Sequence, residues 1–283
     1  MQPKSKTILI TGTSTGIGYG ATKEFIERGY LVFGSVRKIE DADRLTKEFG
    51  EKFIPLFFDV TDASAIKQSV ETVNQKLNGA GLGGLINNSG ISVSGPIEHI
   101  DPDKVLHNFN VNVLGIYRVT QAFLPLLGTQ SNHPSEPGRI LNVSSVAGKM
   151  APPFMSAYVG TKHAVEGISH SLRRELMPFG IKVVIIGPGA VQTPIWEKGN
   201  LDEFRNTRYI QSMKKFFGHF ITRGKQGLPL DFFSKSLADI FETPNPKTRY
   251  TLIKNKFMSW TLPLMVSDKS VDGFFFKKFM KEG

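Results

Sequence analysis

A serine, a tyrosine and a lysine stand in this sequence at a spacing that suits proton transfer. Ser145 ends an apolar run, Tyr158 follows thirteen residues later, and Lys162 lies four residues beyond the tyrosine. Side chains at i and i+4 share one face of a helix, so the Lys162 ammonium is predicted to lie near the Tyr158 phenol. An unperturbed tyrosine has a pKa of about 10. A neighbouring cation lowers that pKa, which predicts that Tyr158 acts as a general acid and base.

The tyrosine–lysine spacing alone is not specific, because it occurs three times in the chain. Tyr19 precedes Lys23, and Tyr250 precedes Lys254, at the same distance. A half-buried helix tyrosine beside a solvated lysine would give this spacing as well. Only Tyr158 has a serine thirteen residues before it, and that partner favours Tyr158 over the other two tyrosines.

A glycine-rich loop directly follows the first apolar run. The segment Thr11-Gly-Thr-Ser-Thr-Gly-Ile-Gly18 stands between a predicted strand and a predicted helix, where a dinucleotide-binding loop belongs. Gly12 permits a tight turn, while Gly16 and Gly18 leave room for a pyrophosphate at the helix N-terminus, where free N–H groups favour an anion. A plain structural turn is the alternative. The candidate cofactor-binding residues of this loop are Gly12, Ser14, Thr15, Gly16, Ile17 and Gly18.

The ends of the second and third predicted strands bear on which nicotinamide cofactor binds. The second strand ends without an acidic residue that could bind the adenosine ribose hydroxyls, and Arg37 stands there instead. Arginine suits a 2′-phosphate, so the sequence predicts NADP rather than NAD, with an ordinary surface cation as the alternative. Asp59 and Val60 end the third strand and are candidates to border the adenine, although Asp59 could equally cap the following helix.

Strand-like apolar runs alternate with amphipathic helical stretches through the first two thirds of the chain. This alternation is typical of a parallel sheet with helices on both faces. The sequence predicts an α/β fold of the Rossmann type, with a doubly wound, mainly parallel seven-stranded sheet in a single domain over residues 1–283. Strands are predicted near 6–11, 31–36, 53–58, 83–88, 138–144, 181–187 and 249–253, and helices near 17–28, 40–49, 63–78, 102–127, 156–179 and 229–242.

Two later segments depart from the alternation. Residues 193–228 hold a Phe-rich helical stretch after the sixth strand and are predicted to form a substrate lid. Phe216, Phe217 and Phe220 would suit an apolar ligand there, and a helix stripe or a subunit contact explains them as well. Residues 255–283 are predicted to form a C-terminal extension. Its segment 274–279 could make weak contact with an anionic membrane surface, but packing on the fold or a subunit contact is favoured.

Charge and composition limit the classes of partner. Residues 1–190 carry 19 Lys and Arg against 16 Asp and Glu, whereas residues 191–283 carry 16 against 9. The dispersed basic residues favour a solvated face over nucleic-acid binding. The chain has no cysteine and six scattered histidines, which predicts no metal site. No apolar run approaches the about 20 residues of a membrane-spanning helix, so a cytoplasmic protein is expected.

The order and spacing of six motifs resemble the short-chain dehydrogenase/reductase family over about residues 5–255. These motifs are the glycine loop, Asn87–Gly90, Asn112, Ser145, Tyr158 with Lys162, and Pro188–Thr193. Ser89 departs from the alanine that is usual in the family. The last third is most similar to the branch containing 17β-hydroxysteroid and retinol dehydrogenases, through Arg249-Tyr250, Leu262-Pro263 and Asp268.

The resemblance implies a role for each matching residue. Tyr158 would be the general acid and base, and Lys162 would lower its pKa and hold the nicotinamide ribose. Ser145 would orient the substrate oxygen. Asn112 would support a water relay from Lys162 to solvent, although a buried helix asparagine is often only a satisfied polar group. Further cofactor contacts implied by the motifs are Asn88, Gly90, Pro188, Gly189, Val191 and Thr193.

The implied activity is the NADP-dependent interconversion of a hydrophobic secondary alcohol and ketone, or of a primary alcohol and aldehyde. The implied assembly is a homodimer or homotetramer. One alternative is a nucleotide-binding regulator that has lost the chemistry, which the intact set of Asn112, Ser145, Tyr158 and Lys162 argues against. The other is a sugar-nucleotide epimerase or dehydratase, a class that is usually longer and spaces its glycines differently.

Overall fold

Seven parallel strands form the sheet on which the chain is built. The computed structural model describes residues 5–194 and 201–280. The strand order is β3-β2-β1-β4-β5-β6-β7, and every neighbouring pair is parallel, which confirms the predicted fold class. The strands are β1 (Thr7–Ile10), β2 (Leu31–Val36), β3 (Phe53–Phe57), β4 (Gly84–Asn87), β5 (Arg139–Val143), β6 (Lys182–Pro188) and β7 (Arg249–Leu252). The order of strands reverses between β1 and β4, where ligands bind in open α/β sheets.

Helices cover both faces of the sheet. On one face α1 and α8 pack through a cluster that includes Phe25 and Leu237. On the other face α3 and α5 pack through Val73 and Phe123. The helices are α1 (Gly16–Glu27), α2 (Ile39–Phe49), α3 (Ala63–Leu77), α4 (Pro102–Phe109), α5 (Gly115–Leu124), α6 (Ser156–Glu175), α7 (Ile210–Lys225), α8 (Leu230–Glu242), α9 (Leu262–Met265) and α10 (Asp268–Phe275). Burial on both faces explains why the strands read as continuous apolar runs.

The helix predicted over residues 102–127 is interrupted by irregular turns. A π-helical turn, Asn110–Leu114, joins α4 to α5, and a second, Pro125–Thr129, follows α5. Such turns occur often at functional sites, and Asn112 lies within the first of them. Apolar spacing predicts the existence of a helix but carries no indication of a widened turn.

The two ends of the predicted lid are joined just beyond the end of β6. Val191 pairs with Leu228 in an isolated parallel bridge, and the Gln192 amide donates to the Leu228 carbonyl at 2.9 Å. Between these positions lie a 3₁₀ turn, Asp202–Phe204, and the helix α7. Residues 195–200 of the predicted lid lie outside the described residues.

The lid and the C-terminal helices meet in a third apolar cluster. Phe216 and Phe217 of α7 are buried with Phe279, which lies in the π-helical turn Phe276–Met280. The Phe216 and Phe279 ring centroids are 5.3 Å apart. The C-terminal aromatic residues fall into two groups. Phe275 and Phe279 pack on the fold, whereas Phe274 and Phe276 are exposed. No helix in the described part of the chain is long and apolar enough to cross a membrane.

Candidate active site

The loops after β1 and β4 are joined by hydrogen bonds at the carboxyl edge of the sheet. The Thr11 hydroxyl oxygen accepts from the amides of Asn88 and Ser89, each at 2.9 Å. Asn88 Nδ2 donates to the carbonyls of Thr11 at 2.9 Å and Gly12 at 3.3 Å. Asn88 thus fixes the glycine loop from the neighbouring strand, and the Ser89 side chain leaves this arrangement intact.

The glycines of the loop are required for different reasons. Gly12 and Gly16 have positive φ angles of 72° and 61°, which favour glycine. A Cβ atom on Gly18 would lie 2.0 Å from the Gly12 carbonyl oxygen and 2.7 Å from Asn88 Nδ2. The interpretation that Gly18 leaves room for a pyrophosphate is therefore wrong, because the loop itself occupies that space.

The N-terminus of α1 keeps its first-turn N–H groups free of a side-chain cap. Thr15 is the N-cap residue and makes no capping hydrogen bond, whereas Asp62 caps α3 through two backbone amides. Thr15 is exposed and Ser14 is half-buried, whereas Ile17, in the first turn of α1, packs against the core. An uncapped helix N-terminus favours an anion, so the geometry fits a pyrophosphate at this position.

Two residues that the sequence reasoning missed shape the same loop. Arg44 of α2 donates to the Ser14 carbonyl at 2.7 Å, and the Ser35 hydroxyl accepts from the Gly12 amide at 2.8 Å. Arg44 lies thirty residues from Ser14 along the chain. No local pattern indicates either contact, because both depend on how β2 and α2 pack beside β1.

Arg37 and Asp59 lie together at the ends of neighbouring strands. Arg37 Nη1 is 3.3 Å from Asp59 Oδ2, and the Arg37 side chain is 73% exposed. Asp59 Oδ1 accepts from the Thr61 amide and hydroxyl. Partial burial acts to raise the pKa of Asp59, but the hydrogen bonds from Thr61 and Arg37 outweigh it and lower that pKa. Asp62, not Asp59, caps α3, so the helix-cap interpretation of Asp59 is wrong.

Val60 lies at the same edge, but its side chain faces the core. The Val60 side chain is buried against Gly115. It lies so close that a Cβ atom on Gly115 would be 2.8 Å from Val60 Cγ2. The Val60 side chain therefore belongs mainly to the core, and its contact with an adenine stays a prediction.

The segment Pro188–Thr193 runs from β6 toward the glycine loop. Pro188 ends β6, and the Gly189 amide donates to the Leu252 carbonyl at 2.8 Å. The Thr193 side chain lies beside Gly16, at 3.6 Å from where a Cβ atom on that glycine would stand. Two motifs separated by more than 170 residues thus meet at the N-terminus of α1.

Ser145, Tyr158 and Lys162 meet where β5 ends and α6 begins. The Ser145 hydroxyl oxygen accepts from the Ala147 amide at 3.1 Å, which fixes the serine at the start of a 3₁₀ turn, Val146–Gly148. Tyr158 and Lys162 lie on one face of α6, with Lys162 Nζ 5.7 Å from the Tyr158 ring centroid. Ser144 instead donates to the Lys162 carbonyl at 3.4 Å and is buried, as expected for a structural residue.

The pKa of Tyr158 shifts in the direction opposite to the predicted one. Burial raises the pKa of Tyr158, and a side-chain hydrogen bond with Ser145 acts against that rise. Lys162 Nζ donates to the Val143 carbonyl at 2.9 Å. The ammonium is therefore held on the β5 backbone beside the ring. Desolvation of the Tyr158 hydroxyl determines the direction of its pKa shift. The predicted net lowering of the Tyr158 pKa is therefore wrong for the chain by itself.

Lys162 and Asn112 both border Gly90. A Cβ atom on Gly90 would lie 3.2 Å from Asn112 Oδ1 and 3.7 Å from Lys162 Nζ. Asn112 Oδ1 accepts from the Ile91 amide at 2.8 Å, and its Nδ2 donates to the Ile91 carbonyl and to the Thr161 hydroxyl. Asn112 thus fixes the loop after β4 against α6, and every polar atom of its side chain has a partner in the protein.

A buried ion pair on the same face of α6 was missed by the sequence reasoning. Arg249 Nε lies 2.9 Å from Glu166 Oε2, with 15% and 2% of the two side chains exposed. Arg249 Nη2 donates to the Ser145 carbonyl at 3.3 Å. Burial lowers the pKa of Lys162 to about 8, while the Glu166 charge acts to raise it. The pair therefore connects β7 to both Ser145 and Lys162.

The other two tyrosines with the same lysine spacing are engaged elsewhere. The Tyr19 hydroxyl donates to Glu48 Oε1 at 2.6 Å, and the Tyr250 hydroxyl accepts from the Lys247 amide at 2.9 Å. Tyr158 instead packs against the third apolar cluster and hydrogen bonds with Ser145. This difference in surroundings supports the choice of Tyr158 made from the serine spacing.

A separate apolar cavity of about 520 Å³ lies on another face of α6. Val159, Gly160 and His163 line it together with Phe154, and neither Ser145, Tyr158 nor Lys162 does. Within residues 5–194 and 201–280, no cluster of His, Asp and Glu side chains could hold a metal ion.

Comparisons with known proteins extend over nearly the whole chain. A family model described as short chain dehydrogenase matches residues 6–203. The chain is 34% identical over 275 residues to the NADPH-dependent 3-dehydrocapnine reductase of Ornithobacterium rhinotracheale, covering 96% of this chain and 97% of the relative. It is 35% identical over 199 residues to retinol dehydrogenase 16 of Mus musculus, covering 70% and 61%. A short-chain dehydrogenase structure from Streptomyces avermitilis has a TM-score of 0.77 at 27% identity, with 96% of each chain covered.

Proposed function

Because the chain belongs to the short-chain dehydrogenase/reductase family and is an enzyme of that family, we propose that it is an NADP-dependent oxidoreductase acting on a hydrophobic substrate. The reaction interconverts a secondary alcohol and its ketone, or a primary alcohol and its aldehyde. One observation carries this proposal: Tyr158 hydrogen bonds with Ser145 and packs against the apolar cluster that contains Phe216 of the lid. The predicted homodimer or homotetramer stays a prediction.

In this proposal the substrate oxygen binds between the hydroxyls of Ser145 and Tyr158. Tyr158 gives its proton to that oxygen during reduction and takes it back during oxidation. The Lys162 ammonium stabilises the phenolate that the transfer leaves behind. Asn112 acts at one remove, because it fixes the Ile91 backbone beside Lys162 and keeps that part of the site in place.

The proton on Tyr158 suits the reduction step of the proposed reaction. A tyrosine whose pKa is raised keeps its proton at neutral pH, so it starts the reaction as an acid. Carbonyl reduction needs a proton for the developing oxygen anion, and Tyr158 can supply it. The relative from Ornithobacterium rhinotracheale is itself named a reductase that depends on NADPH.

The chain offers a matching site for the cofactor. When bound, NADPH supplies the hydride that the carbonyl carbon accepts. The pyrophosphate fits the uncapped N-terminus of α1, and the adenosine 2′-phosphate fits Arg37. The residues proposed to hold the cofactor are Gly12, Ser14, Thr15, Gly16, Ile17, Gly18, Arg37, Asp59, Val60, Asn88, Gly90, Tyr158, Lys162, Pro188, Gly189, Val191 and Thr193.

The substrate class is tested by following NADPH absorbance with a panel of ketones, aldehydes and steroids. For a homologous series of ketones, kcat/KM is expected to rise about three- to fourfold per added methylene, since each buried methylene stabilises binding by about 0.8 kcal/mol. Short polar ketones with the same reacting group serve as controls. Equal turnover of short polar and long apolar ketones would contradict the proposed apolar site. If no carbonyl compound led to oxidation of NADPH, the proposed reductase activity would be wrong.

Replacing Arg37 with alanine is expected to raise the Kd for NADPH about 10- to 100-fold, because a hydrogen bond to a charged group contributes about 1.5–3 kcal/mol. The Kd for NADH is expected to stay constant or fall, since Asp59 loses its cation and becomes free to accept from ribose hydroxyls. Titration of both cofactors, followed by fluorescence, measures the two constants.

The matched control for Arg37 is Lys47→Ala, which removes an exposed cation from α2 without a proposed cofactor contact. Its NADPH affinity is expected to equal that of the unaltered protein. If Arg37→Ala lost affinity for NADPH and NADH equally, Arg37 would not bind the 2′-phosphate.

A further inference from the structure

The C-terminal helices have an inner side that anchors them to the lid. Val271, Phe275 and Phe279 recur every four residues and lie on the less exposed side of α10 and the turn that follows. Phe279 packs on Phe216 of α7. Trp260 lies under the Arg249 guanidinium, with the guanidinium carbon 4.6 Å from the ring centroid. These contacts hold the helices in one place and fix which side faces outward.

The outer side of the same helices exposes a concentration of large apolar side chains. Of the seventeen such side chains that the structure describes as exposed, eight lie between residues 257 and 276. They are Phe257, Met258, Leu262, Leu264, Met265, Val266, Phe274 and Phe276. We call them the apolar outer surface. Met265, the most exposed of them, has 74% of its area accessible. A concentration of large exposed apolar side chains in one short segment indicates an interaction site.

Basic residues lie in the same segment as the apolar outer surface, and Lys278 Nζ is 5.1 Å from the Phe274 ring centroid. Residues 254–280 contain five lysines, all exposed, against two aspartates. The adjoining helix α7 contains Lys214, Lys215, Arg223 and Lys225 and no acidic residue. Two copies of the chain that met through this face would bring these charges against one another. A partner with negative charge and an apolar interior is complementary to both properties.

We propose that the apolar outer surface and its lysines bind the anionic face of a lipid bilayer. The aromatic and methionine side chains enter the boundary between headgroups and acyl chains, and the ammonium groups contact the phosphates. Phe275 and Phe279 remain on the protein side and keep the helices attached to α7, while Trp260 contacts Arg249 of β7.

Binding in this orientation would set the lid helix at the membrane. α7 belongs to the cluster that Tyr158 packs against, so an apolar substrate held in the bilayer would have a short route to the site. This consequence rests on the proposed function. The membrane contact itself does not, because it depends only on the outer surface and is measured without turnover.

The test is flotation of the full chain with vesicles of phosphatidylcholine, with and without phosphatidylglycerol. We expect binding to the vesicles that contain phosphatidylglycerol, weaker binding to pure phosphatidylcholine, and release by added salt. Met265→Glu combined with Phe276→Glu is expected to weaken binding at least about tenfold, since it removes apolar contacts and adds charges that the lipids repel.

The control is Met177→Glu combined with Phe57→Glu, which changes the same residue types at exposed positions outside the outer surface. This control is expected to bind like the unaltered protein.

The proposal is overturned if the unaltered chain does not float with anionic vesicles, or if the control loses as much affinity. It is also overturned if Met265→Glu with Phe276→Glu lowers the molar mass in light scattering, which would assign the surface to a second copy. NADPH titration of every variant verifies folding, and the lipid and salt dependence of the unaltered chain tests the proposal without variants.

Discussion

Replacing Tyr158 with phenylalanine is expected to lower kcat about 10²- to 10⁴-fold, because the substrate oxygen loses the group that protonates it. NADPH affinity is expected to change by less than about fivefold, since one uncharged hydrogen bond contributes about 1 kcal/mol. The ring remains in Tyr158→Phe, so its packing against the lid cluster is kept. Single-turnover kinetics and a separate NADPH titration distinguish loss of chemistry from loss of binding.

The chain supplies its own controls for this substitution. Tyr19→Phe and Tyr250→Phe remove hydroxyls with the same lysine spacing, but those hydroxyls contact Glu48 and the Lys247 amide. Both variants are expected to keep kcat within a few-fold of the unaltered enzyme. If Tyr158→Phe behaved like them, the proton would come from another group and the proposed mechanism would be wrong.

The sheet and most helices could be predicted because their patterns are local. Continuous apolar runs indicate strands buried on both faces, and β1 and β2 begin and end within a residue or two of the expected positions. The π-helical turn that contains Asn112 could not be predicted. A widened turn holds one extra residue, and apolar spacing does not reveal where that residue is inserted. The strand order was not predicted, because no local pattern indicates which strands lie side by side.

The candidate site was predictable where a motif carries its own geometry. Ser145 and Tyr158 were found by spacing, and the structure brings them together. The reason for Gly18 was not predictable, because the atom it makes room for belongs to Gly12 and not to a ligand. The direction of the Tyr158 pKa shift was also missed, since it depends on burial in the folded chain and not on the nearest charge in sequence.

Replacing Arg249 with methionine is expected to lower the free energy of unfolding by about 3–5 kcal/mol, because it leaves the Glu166 carboxylate buried without its cation. Glu166→Met is expected to cost a similar amount by stranding Arg249. The double variant is expected to lose less than the sum, since neither charge then remains buried alone. Denaturant unfolding of the four proteins measures the coupling, and additive losses would contradict a direct pair.

A second measurement separates a positioning role of this pair from a purely structural one. The charged or titratable groups near Lys162 are Tyr158 and Glu166 on α6, with Arg249 reaching Glu166 from β7. Glu166 acts to raise the pKa of Lys162, which lies at about 8. Removing that charge in Glu166→Gln therefore lowers the pKa further, and the ammonium is lost at a lower pH.

Since the ammonium stabilises the Tyr158 phenolate, the alkaline fall in kcat is expected to move to lower pH in Glu166→Gln. Glu175→Gln changes an exposed carboxylate near the end of the same helix and is expected to leave the pH profile unchanged. A purely structural pair would lower stability without moving this limb, because the charge state of Lys162 would not depend on Glu166. If kcat fell at the same alkaline pH in Glu166→Gln and Glu175→Gln, the role of Glu166 and Arg249 would be limited to holding β7 against α6.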